Sequence, residues 1–231
     1  MAEDDDTKLP DEKKTDIPTA TGGAGNKNPY EAYADQADSG QFGPLLKFNK
    51  GEYVYGRDNE EFPEKEVVAL MPGLTHGWIR WEENFPTEPI MGLMMEGFVL
   101  PARNTLGHLD KTAWELGNGN QPRDPWQESF YLPIITVNAE DVYTFATSSN
   151  GGRRHAITPL CKEYGTHIRE LPDELPVIPL NQGFYPHSDP RVGKVKYPLF
   201  TPVVRWVKAE PYLAAVMALT GKTLKLLPKA S

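Results

Sequence analysis

YLPIITVNAEDVYTFATSSNGGRRHAITPLCKEYG, residues 131–165, carries the clearest local pattern in the chain. Two apolar, β-branched runs, 134–137 and 142–147, flank the polar tetrapeptide Asn138-Ala139-Glu140-Asp141, the pattern of a hairpin. The second run empties into Ser148-Ser149-Asn150-Gly151-Gly152-Arg153-Arg154. Ala156, Ile157, Leu160, Cys161 and Tyr164 then fall at helical spacing, and Gly165 stands as a stop. A strand is expected to pass through a glycine-bearing basic loop into a short helix. Helix starts leave N–H groups unpaired and carry partial positive charge, and glycines let a backbone approach a ligand. With Arg153 and Arg154 added, the loop reads as a contact for phosphate or a nucleic-acid backbone. An ordinary surface loop with ordinary arginines is the plainer reading beside it. The spacing matches neither a Walker loop nor a dinucleotide fingerprint.

Charge separates the chain into thirds. The 231 residues carry a formal net charge of −8, which by itself argues against a nonspecific DNA coat. Residues 1–40 hold 4 basic and 10 acidic side chains, 41–130 hold 8 and 14, and 131–231 hold 12 and 8. The basic third contains the quoted stretch, so an anionic partner is expected there, with the acidic head as a possible internal mimic of it. One cysteine excludes an internal disulfide. With no secretory leader or long apolar run, a cytoplasmic location within a host cell is expected.

Residues 1–40 combine Asp4-Asp5-Asp6, scattered lysines and almost no aliphatic side chains, the composition of a disordered acidic tail. From Gln41 the texture changes. FGPLLKFNKGEYVYG reads as a hairpin turning at Asn49-Lys50-Gly51. Further strands are expected at 67–71, 77–81 and 90–95, an N-terminal β-meander. Trp78 and Trp81 are three apart, so a strand sends them to opposite faces unless a bulge intervenes, and either belongs to a core or to a stacking platform. Arg80 is solvated or ligand-facing. Residues 100–130 are rich in proline and glycine, with one short helix expected at 110–116. Prolines confine 174–180 to an edge strand. Lys194-Val195-Lys196-Tyr197 alternates as a strand with one basic face, 203–207 continues as strand, and 211–219 reads as a terminal helix followed by Lys222, Lys225 and Lys229.

Catalytic chemistry has no visible carrier. His76, His108, His155, His167 and His187 lack metal spacing, and Cys161 reads as a small core hydrophobe. No nucleophile elbow or HExxH is present. The expected protein is therefore not an enzyme and has no catalytic residue, no metal site and no cofactor. Its fold class is α+β and β-rich. A meander, a helix and then further strands is the element order of an OB-fold-like barrel.

KFNKGEYVYG, RDPWQESFYLPI, YTFATSSNGGRRHAI and GKVKYPLFTPVVRW together resemble a family of proteins carried by bacteriophages and prophages, over most of residues 41–207. In shape the chain is similar to phage single-stranded DNA-binding proteins. Those commonly end in an acidic tail, whereas here the acidic segment comes first and the last residues are basic. The resemblance implies non-catalytic binding of single-stranded DNA in phage or mobile-element replication or recombination, with replication or recombination proteins as further partners and no membrane. Arg153, Arg154, Lys194 and Lys196 are the expected phosphate contacts, with Arg80 beside them, and Tyr143, Phe145 or Trp78 the stacking platforms. Three segments are expected: the tail 1–40, one OB-like domain 41–209, and a helix with basic tail 210–231. The alternative is a protein-interaction or virion component acting through the acidic tail and the 100–130 loop.

Overall fold

The computed structural model describes residues 42–56, 58–83, 85–117, 121–187 and 193–227. The expected acidic tail and Lys229 lie outside them. Six strands precede the long loop: β1 (Leu45–Asn49), β2 (Glu52–Tyr55), β3 (Glu60–Glu61), β4 (Glu66–Ala69), β5 (Thr75–Glu82) and β6 (Phe85–Leu93). After it come β7 (Trp126–Thr136) and β8 (Val142–Thr147), then helix α1, built from Asn150–Gly152, a π-helical Arg153–Ile157 and Thr158–His167. β9 (Glu174–Pro179), β10 (Asn181–Pro186), β11 (Lys194–Leu199), β12 (Arg205–Lys208) and helix α2 (Ala209–Thr220) complete the order.

The expected hairpin is β7 and β8, paired antiparallel from Phe130↔Thr147 to Ile135↔Val142. Its turn is tied by Thr136, whose Oγ1 accepts from the N–H groups of Glu140 (3.2 Å) and Asp141 (3.1 Å). β7 is far longer than the apolar run suggested, because its first half pairs with β5 and its second half with β4 along the same edge. Pro133 sits where that partner changes. Its carbonyl accepts from Leu70 N at 2.9 Å, so its missing N–H faces the gap between β4 and β5 and interrupts no ladder.

These strands form a curled half-barrel sheet of ten strands, ordered β12-β9-β4-β7-β8-β1-β2-β3, with β5 and β6 branching from β7. Eight strands on this path and two on the branch exceed the five of an OB barrel; the strand-rich α+β class is what holds. β10 and β11 pair only with each other. β9 corrects the edge-strand expectation, since β12 and β4 flank it. Only Val177 has partners on both sides; Pro176 faces Trp206 alone and Pro179 faces Glu66 alone, so each proline falls where one edge is open.

Both faces of the sheet are covered, which is why PIIT and EVVAL read as continuous apolar runs. Val67, Ala69, Leu132, Ile134, Phe145 and Ile178 pack with Ile157, Leu160 and Tyr164 of α1. Val68, Leu70, Ile135, Leu175 and Val177 pack with Ala209 and Val216 of α2. Tyr212 of α2 also donates to Val137 O at 3.1 Å, so the terminal helix shares a core with the strands. Gly165 does not stop α1, which runs on to His167. The helix expected at 110–116 is a single 3-10 turn, Lys111–Ala113, with Asp110 accepting from Thr112 N at 2.9 Å. Arg103 orders the rest of that loop, holding Asp124 through two donors (2.8 and 2.7 Å) and the carbonyls of Gly107 and His108. Among the described residues no helix is long and apolar enough to cross a membrane.

Candidate functional site

The basic loop expected between β8 and the helix is itself helical. Ser149 caps it, its Oγ accepting from Gly152 N at 2.9 Å, and Thr147 in turn holds Ser149. Gly152 has ordinary right-handed backbone; its role is room, since a Cβ there would overlap Thr147. The next five residues, Arg153–Ile157, take the wider π turn, a form found often where side chains are displayed for function.

Arg153 and Arg154 separate in role. Arg153 pairs with Glu128 at 2.6 Å and reaches Asn150 Oδ1 at 3.3 Å, so its charge is already offset. Arg154 is exposed and has no ion partner among the described residues. It lines a cleft of about 440 Å³ with Asn150, Gly151, His155, Tyr185 and Tyr197. Within it the His155 and Tyr197 rings stack at 3.9 Å and 23°, and Tyr185 lies 6.1 Å from Tyr197 at 25°. A second cleft of about 660 Å³ adjoins along Asn150, Arg153 and Arg154 and continues past Glu128, Phe130 and Thr158.

Lys194 and Lys196 are close in the chain but turned away. The register pairs Gly183 with Tyr197 and Phe184 with Lys196, which puts both lysines on the face with Phe184 and both tyrosines on the other. Lys194 Nζ stands 4.1 Å from the Phe184 ring centre, a cation–π contact beside an exposed aromatic. The Lys196 stem lies over the β1–β2 turn, where a Cβ on Gly51 would overlap it. The two basic elements therefore share the β10–β11 ribbon but occupy opposite sides of it.

The proposed platforms are corrected. Tyr143 and Phe145 do share a face, and that face is the interior. Phe145 is 0% exposed and packs on Phe200 at 4.8 Å. Tyr143 sits edge-on to Phe62 (5.0 Å) and Tyr55 (5.5 Å), and burial, with help from Asp141, pushes its hydroxyl pKa up. Phe145 is closed to a base, and Tyr143 is half-buried with those two rings against it. Trp78 is half-buried under the long loop and donates to Pro101 O at 2.8 Å. Arg80 is held by Glu82 at 2.9 Å and Glu88 at 3.4 Å, so it offers no free charge to phosphate. A bulge does intervene between Arg80 and Trp81, and Trp81 turns into a separate cleft.

Three rings were missed as site residues: His155, Tyr185 and Tyr197. The K-V-K-Y alternation does place Tyr197 opposite the lysines, but nothing local to the sequence brings it against His155. Cys161 is confirmed in a packing environment, with Sγ 3.8 Å from Met94 Sδ and burial pushing its thiol up to about 11. Among the described residues no group of three or more His, Cys, Asp or Glu is placed to hold a metal ion.

Fold and cleft together define a strand-rich α+β protein whose curled sheet carries a basic, ring-lined cleft at a helix start. No family model, no curated protein and no solved structure matches the chain.

Proposed function

We propose that this protein binds single-stranded DNA without catalysing a reaction on it, in the replication or recombination of a bacteriophage or other mobile element. One observation carries the reading: Arg154, with no ion partner among the described residues, stands beside the stacked His155, Tyr197 and Tyr185 rings. Single strands are held by this combination of a cation for the phosphate and flat rings for the bases. Phe184 and Lys194, on the far side of the ribbon, offer a second ring and cation for a strand wrapping its edge. In this reading a curled sheet with flanking loops serves as an OB-like barrel does, and the phage setting rests on the resemblance of residues 41–207.

The test is fluorescence anisotropy of labelled oligo-dT with the full chain at two salt concentrations. Binding that weakens with salt is expected, and Arg154→Ala should lower the log–log salt slope by about 0.7, the value of one single-strand phosphate contact. No binding at low salt ends the proposal.

A further inference from the structure

Residues 108–115 and 123–125, with the end of β5, line a third cleft, of about 460 Å³, whose chemistry is unlike that of the first two. Its walls are the indoles of Trp81 and Trp114, and its charged side chains are Glu82, Asp110, Glu115 and Asp124 against Arg123 alone. Glu82 and Asp124 already hold Arg80 and Arg103. Among the described residues Asp110 and Glu115 accept only from uncharged donors, Thr112 and the Glu83 N–H, so their charge is open to an incoming cation. Trp114 already takes one on its ring, with Lys111 Nζ 5.8 Å from the centre.

We infer that this cleft receives a basic segment of a partner polypeptide. An arginine or lysine side chain lies along the indoles with its head toward Asp110 and Glu115. A nucleic-acid strand would set its phosphates against four carboxylates, so this cleft and the Arg154 cleft divide cationic and anionic ligands between them. This inference stands apart from the single-stranded DNA reading, and either can fail alone.

The experiment titrates the full chain into a short labelled peptide alternating arginine with glycine, and into its glutamate counterpart. Binding of the arginine peptide alone is expected. Trp114→Ala and the double variant Asp110→Asn, Glu115→Gln should each weaken it about tenfold. Glu60→Gln with Glu61→Gln, on exposed β3, should change it less than about twofold. The double variants replace only charge and keep side-chain shape, so their comparison holds even if Trp114→Ala fails to fold. Equal weakening by the β3 pair would reduce the effect to net charge and overturn the inference. So would equal binding of the glutamate peptide, or no binding of the arginine peptide.

Discussion

Single atoms decide several positions. At the β1–β2 turn Lys50 has φ 50° and Gly51 φ 99°, and a side chain on Gly51 would meet both backbone strain and the Lys196 stem. Gly51→Ala is expected to cost about 1–3 kcal/mol by denaturant melting. The FNKGEY signal made this turn legible, whereas the Lys196 contact, between residues remote in the chain, was not. Cys161 gives a pH prediction. Burial favours the neutral thiol and raises its pKa from 9.0 to about 11 in the folded chain. The stability this confers is full below pH 9, where the unfolded thiol is also neutral, and is lost as pH rises toward 11. Urea melts across that range should show a steeper decline for the natural chain than for Cys161→Ala. Identical slopes would mean the thiol titrates freely.

At the scale of elements, α1 depends on its cap and the long loop on one arginine. Ser149→Ala removes the acceptor for Gly152 N and should cost about 1 kcal/mol, read from thermal or urea unfolding. Arg103→Lys cannot reproduce the forked contact with Asp124 or reach both carbonyls. Limited proteolysis is expected to cut within 104–117 sooner in that variant, while β7 stays protected. Elements whose pattern is local were readable in advance: the β7–β8 hairpin from its paired apolar runs, α2 from its spacing and terminal glycine. Those set by distant partners were not. PVIP looks like an edge because proline lacks a donor, and only the staggered ends of β12 and β4 show how an interior strand accommodates two of them. Tyr143 and Phe145 were rightly placed on one face, but that this face is covered at all depends on α1 packing there.

Over the whole molecule, charge is distributed more than it is concentrated. The site cation Arg154 works in a chain of net −8 whose first 40 residues contribute −6. Removing residues 1–41 should tighten oligo-dT binding several-fold at low salt and leave it nearly unchanged at high salt, because the head acts through a field that ions screen. Equal affinities at low salt would show that the head does not oppose the ligand. Half of the candidate site was legible as composition, the arginine pair and the lysine strand. The pairing that separates Arg153 from Arg154, through Glu128 on β7, exists only after a strand and a helix 25 residues apart are brought together.

The β10–β11 ribbon shares no ladder with the ten-stranded sheet. Its attachments are a few discrete ones, among them the His155 stack and the hydroxyl of Tyr53 donating to Asn181 O at 2.7 Å. It can loosen without breaking one interstrand bond elsewhere, so its amides should exchange for deuterium well ahead of those in β7. A ligand gripping both Arg154 and Tyr185 would slow that exchange while leaving the rest of the protein's clock unchanged.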